Sequence, residues 1–149
     1  MIDKTYEEFA RDFATRVIES DFVAAHRMLA PWLAAVVTPQ QIHDLIKKGV
    51  EEVKEANDLD GELHPTSFQI DYNSCTLQDL KEMPSYREAR KISEEVNDQN
   101  FRQWMVIEFQ PTEQEQDDLG IDAYLDWWMM LVDVAGEIKI GYFDIEDPD

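Results

Sequence analysis

Asp122, Tyr124, Asp126, Trp128 and Met130 alternate along one stretch of the chain, and alternation sets such residues on one face of a strand. A carboxylate lodged among aromatic rings has its neutral form favoured, which suits a general acid or base. A phenol beside it is a hydrogen-bond donor for a developing oxyanion. Asp126 with Tyr124 therefore describes proton transfer next to a carbonyl, and both are candidate catalytic residues. His26 is the third candidate, because histidine shuttles protons near neutrality. Facing the same hollow, it would be oriented by Asp126 or Tyr142. The structural reading is simpler. One face of the strand is core, the other is partly wet or an interface, and the aspartates are solvated while Tyr124 and Trp128 bury their rings.

Other chemistry-bearing residues lack the spacing their chemistry needs. His43 and His64 are not four apart on a helix, as paired zinc ligands would be. Glu113, Glu115, Asp117 and Asp118 lack the glycine and the closing glutamate of a calcium loop. No metal and no cofactor is expected. Cys75 is the only cysteine, so no intrachain disulfide forms, and no basic residue stands beside it in the sequence to activate it as a nucleophile. Neither a Gly-x-Ser-x-Gly elbow nor a phosphate-cradling glycine loop occurs. Trp127 and Trp128 are adjacent, so a strand sends them to opposite faces. One fills the core. The other lines a pocket, sits exposed or lies in an interface, which makes a homodimer through the sheet an expectation.

The charge excludes whole classes of partner. Thirty-three acids against 13 bases leave a net charge of −20, and Lys139 is the only base from Pro111 to Asp149. Such a field repels phosphates and anionic headgroups, so neither nucleic acid nor a membrane surface is expected. Attraction to a basic protein is the positive counterpart. No apolar run approaches the roughly 20 residues that span a bilayer, and Asp3, Glu7 and Glu8 interrupt any secretory leader. A cytoplasmic location is the expectation.

Elements able to position these residues follow from periodicity. Tyr6, Phe9, Phe13 and Val17 make a helical stripe over Thr5–Ile18. A second helix is capped by Ser20 or Asp21 and ends before Pro31, which opens a short turn. Thr38, Pro39 and Gln41 spell a capping box with proline at the first position, so a third helix runs on toward Asn57. Phe68, Ile70 and Tyr72 alternate as a strand. Leu77–Asn100 reads as one helix, or a short helix and a long excursion, with Ser85 and Glu88 as a further capping box. Phe101–Gln110 is a strand, Thr112–Gly120 an acidic loop, and Ile121–Val134 a long strand. Ala135-Gly136 turns the chain into a hairpin partner, Glu137–Ile145. No linker divides the 149 residues, so one domain is expected, of α+β class, with N-terminal helices packed on an antiparallel sheet.

The unit Phe9–Lys48 carries a family resemblance. A helix leads into Asp21-Phe22-Val23-Ala24-Ala25-His26-Arg27-Met28-Leu29-Ala30-Pro31-Trp32-Leu33, then the Thr38-Pro39 restart, and later the meander Phe101–Ile145. This order resembles the nuclear transport factor two-like superfamily, the cystatin-like α+β cone. The resemblance implies a strongly curved sheet with a pocket at the cone's mouth, often dimerised through the outer sheet face. Trp32, Tyr124, Trp128, Met130 and Tyr142 are then the ligand-binding candidates. Activities on such folds range from isomerases and dehydratases to non-enzymes. With no complete catalytic set present, the leading expectation is a non-catalytic domain binding a small molecule or a protein. The alternatives are an isomerase or dehydratase using Asp126, Tyr124 or His26, and an acidic, immunity-type inhibitor of a basic protein.

Overall fold

The computed structural model describes residues 4–73, 75–82 and 92–146. Helix α1 (Lys4–Ile18) buries Ala10, Phe13, Ala14 and Val17. It ends in a Schellman turn: the Ser20 amide donates to Val17 O at 3.0 Å and the Asp21 amide to Arg16 O at 2.8 Å. Asp21 then caps α2 (Phe22–His26), its carboxylate accepting the Ala24 amide at 3.2 Å. Pro31 opens α3 (Pro31–Ala34). Helix α4 (Pro39–Ala56) carries the capping box of Thr38 and Gln41 that its sequence spells, and it buries Ile42, Ile46, Gly49, Val50 and Val53.

Strands β1 (Ser67–Asn73), β2 (Phe101–Gln110), β3 (Leu125–Val134) and β4 (Glu137–Glu146) pair antiparallel in sequence order. Helices α1–α4 precede the sheet, and α1, α2 and α4 pack on one of its faces through Phe13, Phe22 and Ile46, as the α+β reading expects. Register shifts at Phe101/Gln103 and Met130/Leu131 mark bulges, which bend strands and add twist. The β4 edge is covered by Met28–Ala30: the Ile140 amide donates to Met28 O and the Ala30 amide to Ile140 O, each at 2.8 Å. Ala135 (φ 52°) and Gly136 (φ 90°) make the hairpin turn between β3 and β4.

Two faces give two cores. On the helix side, Phe13, Phe109, Met105, Trp127 and Leu131 are all fully buried. Trp127 lies 5.2 Å from the Phe13 ring and 4.5 Å from that of Phe143. On the outer side, Trp104, Met130 and Val132 are covered by Ala30, Ile92, Val96 and helix α5 (Leu77–Glu82) through Leu77 and Leu80. A third, smaller cluster joins Val50 and Val53 of α4 to Ile121 and Tyr124.

Two expectations change. The acidic loop at Thr112–Gly120 is a helix, α6 (Glu113–Leu119), with a capping box from Thr112 and Glu115 and Gly120 left-handed at φ 72° beyond its end. The long strand begins at Leu125, not Ile121. After β1 the described residues include a helix at Leu77–Glu82, and the Ser85–Glu88 box lies outside the described residues. Among the described residues no helix is long and apolar enough to cross a membrane.

Candidate functional site

Register assembles most of the aromatic candidates. Met130 stands opposite Trp104 on β2 and Tyr142 on β4, and Trp128 opposite Val106 and Asp144. Trp104 stacks on Trp128 at 5.4 Å between centroids, 16° from parallel, and on Tyr142 at 6.3 Å. Trp32 reaches over the β4 bulge, its indole N–H donating to Gly141 O at 2.9 Å. Only glycine fits beneath it, because a Cβ on Gly141 would sit 2.7 Å from Val132 and 3.3 Å from the Trp32 ring.

Trp32, Trp128, Met130 and Tyr142 thus share one cluster, joined by Trp104, which the sequence reading missed. Its alternation with Val106 was visible, but only cross-strand register places it against Trp128. The cluster is packed as core: Met130 is fully buried and Trp104 is 8% exposed. Trp128 finds its apolar neighbours within the chain. Its indole Nε1 is buried without a hydrogen-bond partner among the described residues. Cys75, half-buried, packs against the same cluster.

The three catalytic candidates do not meet. Tyr124 precedes β3, so the alternation that grouped it with Asp126 stops one residue short of it. Its amide donates to Phe109 O at 2.8 Å. The ring is fully buried with Val50, Val53 and Ile121, and its hydroxyl has no hydrogen-bond partner among the described residues. Burial pushes the phenol pKa up, and the charge of Glu115 pushes it the same way. Asp126 stays on the outer sheet face, half-buried, opposite Glu108. His26 closes α2, with Nε2 2.7 Å from Val37 O and 3.2 Å from Ala34 O. A carbonyl only accepts, so Nε2 carries the proton, and the ring clamps α2 to the turn before α4. Among the described residues no group of three His, Cys, Asp or Glu side chains is placed to hold a metal.

A feature invisible in the linear chain gathers at the β1-start, β2-end side of the sheet. Two stretches without lysine or arginine, residues 55–80 and 103–138, are brought together there. Leu59 and Leu63 of the first pack with Leu119, Ile121 and Tyr124 of the second. The Thr66 hydroxyl donates to Glu115 at 2.5 Å, tying the approach to β1 onto α6. Asp58, Asp60 and Glu62 are exposed on one stretch; Glu113, Asp117, Asp118 and Asp122 are exposed on the other. Among the described residues none of these seven has a basic side chain within ion-pair distance. The ion pairs there lie elsewhere, for example Arg102–Asp133 and Lys139–Glu137 near the β3–β4 hairpin.

Comparison of the chain with family models, with curated proteins and with solved structures returns no match.

Proposed function

We propose that this chain is a non-catalytic protein-binding domain, and that its partner presents a basic surface to the acidic end built by α6 and residues 58–62. The convergence of two base-free stretches carries this reading. Seven exposed carboxylates without an ion-pair partner among the described residues make a field that steers a cationic partner and speeds its docking. The aromatic cluster and the helix-side core support it from the other direction. Both are built of buried apolar side chains, and Asp126, Tyr124 and His26 occupy three separate places, so these three form no acid–base pair around one hollow. Element order, with helices leading into an antiparallel meander, resembles that of the nuclear transport factor two-like superfamily, a fold that hosts non-enzymes as well as enzymes.

The test uses the whole chain as bait at low ionic strength, followed by rebuilding the complex from purified components. The association rate should fall steeply with salt. The triple reversal Glu113→Lys, Asp117→Lys, Asp118→Lys should slow association about tenfold or more, as rim charges act mainly on that rate. A matched reversal at the hairpin end, Glu94→Lys, Asp98→Lys, Glu137→Lys, should leave it near wild type. Equal slowing by both triples, or a partner bound without salt dependence, would overturn the proposal.

A further inference from the structure

The two edges of the sheet differ. At β4 the edge is covered by Met28–Ala30. At β1, among the described residues, no strand pairs with the edge that faces away from β2. An open edge presents a row of backbone donors and acceptors, and proteins guard it with lysine, proline, a bulge or a covering segment. The β1 sequence, Ser-Phe-Gln-Ile-Asp-Tyr-Asn, has neither lysine nor proline, and its pairing with β2 runs from Ser67 to Asn73 without a register shift. The Tyr72 amide donates to the Asp71 carboxylate of the same strand at 2.9 Å. The Tyr72 side chain is 39% exposed and, with Val23 and Val36, is one of the large apolar side chains that the described residues leave open to solvent.

What selects the occupant is that this strand is complementary to itself. A sheet continued across a two-fold axis, with both helix layers on the same side, pairs residues of equal parity. Only an axis through Ile70 keeps the whole of β1 paired. Phe68 then faces Tyr72 of the second copy, Gln69 faces Asp71, Ile70 faces itself, and Ser67 and Asn73 close the register. Aromatic pairs are favourable neighbours across strands, and an amide donates to a carboxylate. No like charges meet, although the chain carries a net charge of −20. Antiparallel pairing also separates the two acidic ends. The two β1 starts lie about 20 Å apart along the strands, well beyond the screening length of about 8 Å at physiological salt.

We propose that β1 pairs antiparallel with β1 of a second copy, about a two-fold axis through Ile70, so that the two sheets become one. The Phe68 ring of each copy covers the exposed Tyr72 of the other. The contact is one strand long, which places it in the small, transient class of interfaces. It uses the sheet edge, not the Trp104–Trp128 face and not the acidic end, so it goes beyond the basic-partner reading and does not rest on it.

Sedimentation of the full chain at concentrations up to about 1 mM tests it, the scale beyond which association is adventitious. A monomer–dimer equilibrium should appear and should tighten as salt is raised, because two copies of charge −20 repel each other. Binding of a basic partner changes with salt in the opposite direction, so the failure of either proposal leaves the other standing. Two exposed positions test the register. Gln69→Lys faces Asp71 of the second copy twice in each dimer and should tighten it about fivefold. Adding Asp71→Lys sets lysine against lysine, and this double variant should dimerise more weakly than wild type although it is less acidic. Repulsion by net charge alone predicts the reverse order. Thermal melting of each variant verifies that the fold is kept. A monomer at about 1 mM in high salt would overturn the proposal. So would a dimer indifferent to both substitutions, or a double variant that dimerises as tightly as Gln69→Lys.

Discussion

Gly49→Ala should destabilise the protein, although it places the best helix former in the middle of α4. In an open helix the change gains about 1 kcal/mol, because alanine loses less backbone freedom than glycine. Here the new Cβ would sit 2.6 Å from Cδ2 of Leu125 and 3.2 Å from its Cβ. Leu125 is fully buried at the start of β3, paired with Phe109, and its stem cannot swing clear. Overpacking of this kind costs about 1–3 kcal/mol, and a contact involving the Cβ as well as the chain end belongs at the upper side of that range. The net expectation is a loss of about 1–2 kcal/mol. The sign reverses when the obstacle is removed. Leu125→Ala alone should cost about 2–5 kcal/mol. In that background Gly49→Ala meets open space, keeps its helical gain and refills part of the cavity, so the double variant should be more stable than Leu125→Ala by about 1 kcal/mol. Urea unfolding followed by tryptophan fluorescence measures all four proteins, with constant m-values as the check on two-state behaviour. If Gly49→Ala stabilised both backgrounds equally, α4 would not rest on β3 at this point, and the helix layer described above would be misplaced.

Two further outcomes follow from the backbone and the titrating groups. Ala135→Asn should raise the melting temperature by a few degrees, about 0.5–1 kcal/mol, since both turn residues have positive φ and Asn-Gly is the preferred pair; a fall would mean a different turn. The Glu115 carboxyl is held below the usual range first by the Thr66 hydroxyl and then by the Thr112 amide. Its folded pKa is thus lower than its unfolded one, so its contribution is complete above the ordinary carboxylate range and disappears as pH falls through the lowered folded value. Thr66→Val should flatten that part of the acid denaturation curve, and superimposable curves for variant and wild type would refute the tie between β1 and α6.

Local grammar carried the helices and the meander. Thr38-Pro39-Gln41 predicted a cap that forms as spelled, and Trp127-Trp128 predicted one ring per sheet face. The misses share a cause, which is that long-range contacts decide them. Alternation from Ile121 onward looked continuous, yet residues 121–124 turn toward α4 because Ile121 and Tyr124 bury against Val50 and Val53, and this separates Tyr124 from Asp126. Helix α6 was legible after all in Thr112, Glu115 and Gly120, but its run of acids and glutamines has no apolar stripe to raise it above a loop. Trp104 could be assigned to a strand but not to a neighbour, because register belongs to the pair of strands. The acidic end was half visible as a C-terminal third whose only base is Lys139; its other half comes from residues 58–62, and nothing in the linear order brings them to α6.

That acidic end exists against its own repulsion, and the balance of terms explains why it is ready to bind. Two exposed like charges about 8 Å apart in water repel by roughly 0.5 kcal/mol, and salt reduces this further. Bringing Asp58, Asp60 and Glu62 beside Glu113, Asp117, Asp118 and Asp122 therefore costs a few such increments. Burying Val50, Val53, Ile121 and Tyr124 in the cluster beneath contributes about 1.5–3 kcal/mol for each side chain. Burial wins, and it holds the two acidic stretches together before any partner arrives. A cationic surface that docks there finds the carboxylates already gathered and removes the repulsion between them as it binds. The small third core is thus the element that gathers an acidic composition into one preorganised acidic patch, the feature on which the proposed docking of a cationic partner rests.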